Sequence, residues 1–127
     1  MNIPTDRKYT KNDEWIQSDG TVGISDYAQD QLSDVVYVEI AVAAGDSVNQ
    51  GDTIGTIESV KAAADVYAPV SGTIAAINED LSDKPETVNG DPYGAAWLIK
   101  IEIADAAQLD SLMDAAAYEK YCAGREH

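Results

Sequence analysis

The chain has 127 residues, with 23 acidic against 8 basic side chains and a formal net charge of −15. That length fits one domain, 1–127, with a sizeable core and little room for a separate catalytic unit. The charge argues against nucleic acid, whose phosphates are bound by neutralising them with Lys and Arg, and against anionic membrane surfaces. One cysteine, Cys122, makes an internal disulfide impossible and reads as a small apolar residue on a C-terminal helix. The sole histidine, His127, is the last residue, so a Ser-His-Asp or Cys-His arrangement and a zinc site both lack support.

From the N-terminus, residues 1–7 show neither the apolar stretch of a secretory signal nor an Arg-rich amphipathic presequence. No segment approaches the roughly 20 apolar residues that cross a bilayer. The expectation is a cytoplasmic, bacterial protein, although a mature mitochondrial form reads similarly. Asp19-Gly20 is a hairpin signal between Trp15-Ile16 and Val22. Ser25 is placed to cap a short helix over 26–32, with Asp26 favourable in its first turn. In Val36-Tyr37-Val38-Glu39-Ile40, alternation predicts a strand with Val36, Val38 and Ile40 on one face.

Gly45-Asp46 and Gly51-Asp52 then bracket a short segment with the turn chemistry of compact sheets. The run from Glu58 to Gly72 reads as a strand, a tight turn carrying Lys61, and a second strand closed by Pro69 and Gly72. Ser71 to Ile77 predicts another strand, and Asn78 to Tyr93, rich in Asp, Pro, Asn and Gly, a long loop. Trp97, Ile99, Ile101 and Ile103 alternate with Leu98, Lys100 and Glu102 as a half-buried strand. Near the C-terminus, Asp105 and Gln108 suggest a capping box, and Leu109, Leu112, Met113 and Ala116 recur at helical spacing. The helical segment is expected over 106–122, with a break near Asp114 and Tyr118, Tyr121 and Cys122 continuing its face. Short strands punctuated by turns predict a mainly β fold, a flattened barrel-sandwich of two small antiparallel sheets.

Lys61 is the only basic residue between Asn12 and Asp83, in a stretch rich in acids. Residue type alone makes it a solvated charge at a hairpin tip. Its frame of turn residues, however, resembles the attachment hairpin of lipoyl and biotinyl carrier domains. Biotin carriers usually place methionine beside the lysine, and here Val60 and Ala62 flank it, which favours lipoate.

The ordered set of segments resembles one family, the H protein of the glycine cleavage system. Tyr9 to Trp15 and Gly23 to Leu32 are similar to its N-terminal segments, and Glu58-Ser59-Val60-Lys61-Ala62 to its attachment core. Asn78 to Leu81, Pro85, Val88-Asn89, Asp91 to Gly94 and Trp97 to Ile101 follow in the same order. The sequence departs from that pattern at Asp13, where histidine is usual, at Ser33 for glycine, at Ala41 for proline and at Ala64 for serine. Asp13 reads as a further negative charge beside Glu14, able to alter which partner fits.

The resemblance implies a carrier, not an enzyme, with lipoate placed in amide linkage on Lys61 by lipoate-attaching enzymes. It implies three partners: the glycine decarboxylase (P protein), which loads an aminomethyl group; the aminomethyltransferase (T protein), which unloads it; and dihydrolipoamide dehydrogenase (L protein), which reoxidises the dithiol. It also implies a cleft that shelters the loaded arm, for which Glu14, Asp65 and Asn12 are the candidates by motif position. Residue type alone would make Glu14 an exposed strand-edge acid and Asp65 a hairpin residue with a local hydrogen bond. The alternative is an H-like lipoyl relay that supplies lipoate or redox equivalents to other systems. An unlipoylated interaction module is disfavoured by the intact core around Lys61. A lipoyl domain of a 2-oxo acid dehydrogenase is disfavoured by Val60, because such domains usually carry Asp there.

Overall fold

In the computed structural model, which describes residues 2–125, antiparallel pairing builds two sheets that share one core. His127 lies outside the described residues. The larger sheet contains β1 (Arg7–Tyr9), β2 (Glu14–Gln17), β3 (Thr21–Ile24), β5 (Ser47–Val48), β8 (Gly72–Ile77) and β9 (Ile99–Ile103), in the order β1-β2-β3-β9-β8-β5. The smaller contains β4 (Val35–Ile40), β6 (Thr53–Ser59) and β7 (Ala63–Tyr67), in the order β4-β6-β7. The larger sheet does not close into a barrel. Ile16, Val22, Ile74, Ile99 and Ile101 from it meet Val38, Ile57 and Val66 from the smaller sheet in a continuous apolar cluster.

Local chemistry accounts for the hairpin and the first helix. Gly20 takes φ +91°, and a Cβ there would sit 1.9 Å from the Ile101 carbonyl oxygen, so only glycine lets β9 approach this turn. The helix α1 (Asp26–Leu32) is capped by Ser25, whose Oγ accepts from the Ala28 N–H at 3.2 Å. It ends at Ser33, whose φ of +65° lies where glycine is favoured.

Four expectations need correction. In β4 the register shifts between Val35 and Tyr37, which turns Val35 and Val38 inward and leaves Val36 53% exposed. Ahead of β9, Leu98 enters the core while Trp97 is only half-buried, because β9 starts at Ile99 and Leu98 pairs back to the Val22 carbonyl. The stretch from Asn78 to Tyr93 is not all loop: it holds α2 (Asp80–Asp83) and α3 (Thr87–Gly90), which bury Leu81 and Val88. A single helical turn presents one apolar side chain, so it leaves no periodicity to detect.

The fourth concerns the capping box and Met113 near the C-terminus, where the helical segment and its break are otherwise as expected. The helical segment divides into α4 (Ala107–Asp110) and α5 (Ala115–Arg125), separated by a bridge in which Tyr9 and Met113 exchange backbone hydrogen bonds of 2.8 and 2.9 Å. The capping box does not form, because Gln108 bonds Ser71 instead, accepting from its N–H at 2.6 Å. Asp114 marks the break as expected, and its Oδ1 accepts from the Ala117 N–H at 2.8 Å. Tyr118 and Cys122 of α5 pack with Tyr9, Trp15 and Tyr27 in a second, aromatic cluster, with Tyr9 and Tyr118 stacked at 4.5 Å.

Candidate functional site

The hairpin of β6 and β7 is closed by Val60, Lys61 and Ala62. Ser59 shapes the turn. Its backbone N–H donates to the Ala62 carbonyl at 2.8 Å, and its Oγ accepts from the N–H groups of Lys61 and Ala62 at 3.3 and 3.1 Å. Val60 is tied back through its N–H to the Asp34 carbonyl at 3.1 Å, while its side chain stays 70% exposed. Lys61 is exposed at the apex. Because β6 lies between β4 and β7, the base of the turn is anchored on both sides, and the lysine is carried on a rigid post.

Alternation along β7 aims its neighbours to opposite faces. Asp65 stands opposite Thr56, whose hydroxyl donates to its carboxylate at 3.1 Å, and Thr56 in turn stands opposite Glu39. Together with Tyr37 and Glu58, these residues form an exposed and largely acidic outer face. Ala62 and Ala64 line a cavity of about 200 Å³ between the hairpin and α1. Its walls are apolar, formed by Ile24, Leu32, Ile57 and Val66. Asn12, Asp13, Gln31, Asp65 and Arg125 are the polar residues that line the same cavity. A larger cavity of about 720 Å³, lined by Arg7, Lys8, Leu109 and Asp110 among others, shares no residue with the hairpin.

Of the three residues singled out for the cleft, the structure brings Asn12 and Asp65 to this cavity. Glu14 does not line it. Far from an exposed strand-edge acid, Glu14 is 1% exposed, accepts from the Thr10 hydroxyl through one oxygen and from the Tyr67 N–H at 3.1 Å through the other. Burial pushes its carboxyl up to about 7, the two hydrogen bonds hold it down in part, and the nearby Asp13 adds repulsion.

Asp13, expected as a further negative charge beside Glu14, is instead paired with a cation. At φ +69° it turns inward, where Arg125 holds both its oxygens with contacts of 2.6 and 2.9 Å. Tyr118 donates its hydroxyl proton to Asp13 Oδ1 at 2.9 Å, so Ser25 must donate in its own contact with Tyr118. The guanidinium of Arg125 lies 4.4 Å from the Tyr27 ring and 4.8 Å from that of Tyr121. The hydrogen bonds that Arg125 donates to Asp13 raise its pKa further, and burial pushes the Tyr118 phenol above its ordinary range. Arg125 was missed at the sequence level because nothing local marks a cation 112 positions from its partner.

The sequence profile of the glycine cleavage H-protein family matches residues 7–125. The chain belongs to the glycine cleavage H-protein family. It is 54% identical over 123 residues to the glycine cleavage system H protein of Burkholderia vietnamiensis, covering 94% of this chain and 96% of that one. It is 53% identical over 122 residues to that of Idiomarina loihiensis, covering 93% and 94%. The crystal structure of the H protein from Mycobacterium marinum superposes with a TM-score of 0.83 at 34% identity, over 98% of this chain and all of that one. H proteins are carriers and not catalysts, and the two-sheet fold is the one this relative displays. Among the described residues, no helix is long and apolar enough to cross a membrane.

Proposed function

We propose that this chain is a single-domain carrier that holds lipoate in amide linkage on Lys61 and conveys the aminomethyl group of glycine from the decarboxylase to the aminomethyltransferase. We further propose that the reduced arm then visits dihydrolipoamide dehydrogenase, and that all of this takes place in the cytoplasm. The observation that carries the reading is the pairing of an exposed Lys61, on a turn ordered by Ser59, with a small cavity opened by Ala62 and Ala64. An aliphatic arm with a polar end suits that cavity, because it combines apolar walls with a set of polar residues. Bound lipoate supplies a redox-active disulfide and a sulfur that carries the one-carbon unit.

The protein's own residues present, shelter and steer. Ser59 fixes the apex so that Lys61 projects from the same direction towards every partner, and tethering there raises the arm's local concentration wherever the carrier docks. Asn12 and Asp65 offer polar contacts to an arm folded into the cavity. Glu14 supports them from the interior, by holding Thr10 at one end of the Asn12 turn and the Tyr67 backbone at the end of β7. The acidic outer face of β4, β6 and β7 favours partners with basic docking surfaces.

The test is intact mass and peptide mapping of the protein from its own cells, beside Lys61→Arg. Arginine preserves the charge but cannot form the amide, so the variant should fold and melt like the parent and gain no lipoyl mass. A lipoyl group mapped to Lys8, Lys11, Lys84, Lys100 or Lys120 would overturn the assignment.

A further inference from the structure

Among the described residues, three that line the cavity beside the hairpin carry formal charges, Asp65, Asp13 and Arg125, and the last two cancel. Arg125 engages both oxygens of Asp13, and its guanidinium also lies over the rings of Tyr27 and Tyr121, which restrict where it can go. The pair is half-sheltered, with the Arg125 side chain 33% and the Asp13 side chain 13% exposed. Water screens such a pair less than a fully exposed one. Asp13 is held in turn by Tyr118, whose hydroxyl is fixed by Ser25 at the start of α1. An ion pair so braced is a fixed element of the cavity's electrostatics.

Building on the carrier reading, we propose that the Asp13–Arg125 pair sets the charge selectivity of this cavity towards the arm. The arm has uncharged forms, disulfide and dithiol, and one cationic form, in which a primary ammonium sits on the methylene joined to sulfur. With Asp13 committed to Arg125, the ammonium meets, among the carboxylates of the described lining residues, only that of Asp65, which is itself engaged by the Thr56 hydroxyl on the outer face. The guanidinium nearby opposes a second cation. The loaded arm is therefore sheltered from water yet bound weakly enough to be surrendered to the next enzyme. Without Arg125, Asp13 becomes available to the ammonium; without Asp13, an unbalanced guanidinium repels it.

This predicts effects of opposite sign from the two halves of one ion pair, which a purely structural brace does not. The loaded arm decays in water by cleavage of its C–S and C–N bonds: the sulfur leaves as thiol, the methylene as formaldehyde and the nitrogen as ammonium, one water being consumed. The experiment loads the lipoylated protein with glycine and the decarboxylase, re-isolates it, and follows formaldehyde release and loss of the aminomethyl mass. In parallel, the rate at which a soluble phosphine reduces the unloaded disulfide arm reports access to the uncharged form.

Arg125→Gln should retain the aminomethyl group about three- to tenfold longer than the parent, and Asp13→Asn should lose it faster by a similar factor. Phosphine reduction should change by less than about twofold in either. Arg125→Lys, which keeps the charge and gives up the two-pronged grip, should stay near the parent. Retention falling in both single variants, or phosphine access moving as far as retention, would show a brace and overturn the proposal. A parent without lipoyl mass on Lys61 would instead overturn the carrier reading, so the two failures are told apart.

Discussion

The buried carboxyl of Glu14 should make the fold less stable as pH rises through a window where ordinary carboxylates are silent. Its pKa moves from 4.5 to about 7 in the folded protein, chiefly through burial. The folded state thus binds more protons than the unfolded chain between these values, and stability falls as pH rises across them. Below 4.5 the group is protonated in both states and contributes no loss; above about 7 the loss is complete. At about 1.4 kcal/mol per pH unit the penalty reaches roughly 3 kcal/mol. The perturbation is Glu14→Gln, which removes the titration while keeping size and a carbonyl for the Tyr67 N–H. Urea unfolding, followed by the fluorescence of the buried Trp15, should be measured from pH 4.5 to 8. With a slope of about 1–3 kcal/mol per molar urea, the parent's midpoint should fall about 1–3 M further than the variant's across the window. Asp6 and Asp19, whose carboxyls are lowered by hydrogen bonds, act in the opposite direction but only as pH falls below about 4. Parallel curves for parent and variant would refute the argument, since they would mean that Glu14 titrates as an ordinary surface acid.

Three other outcomes follow from particular contacts. Gly20→Ala should cost at least about 2 kcal/mol by denaturant unfolding, because it forces both a left-handed backbone and a collision with Ile101; Gly45→Ala, at φ +95° with open space around it, should cost only about 1 kcal/mol. Ser59→Ala removes the acceptor of two N–H groups at the hairpin apex, so it should cost about 1 kcal/mol and slow lipoylation of Lys61 while leaving the rest of the fold intact, as read by mass against time. Association with the glycine decarboxylase should slow as salt rises, because attraction to a chain of net charge −15 is screened over about 8–10 Å at physiological ionic strength; on-rates indifferent to salt would remove the steering argument.

Much of the fold was legible because it is encoded over short distances. Ser25 and Asp26 announced α1, Asp19-Gly20 announced the β2–β3 hairpin, and the punctuation from Glu58 to Gly72 announced the hairpin that carries Lys61. Each rests on a side chain acting on backbone within a few residues, which the order of residues expresses directly. Where a second segment intervened, local signals misled. Val36 alternates as a core residue but is turned out by the bulge against β6, Gln108 bonds Ser71 in place of its own helix, and Met113 leaves the helical pattern to pair with Tyr9.

The same division runs through the site. Sequence by itself determined the family, the lone lysine at a hairpin apex, and the small residues beside it, since all of these are matters of residue type and order. Only the tertiary structure decided that Glu14 is buried beneath Thr10 and Tyr67, that Asp65 shares a cavity with Asn12, and that Asp13 is neutralised by a cation at the far end of the chain. The strength of a charge depends on the water and counter-charges around it, and those are set when distant segments pack, not by the neighbours along the chain.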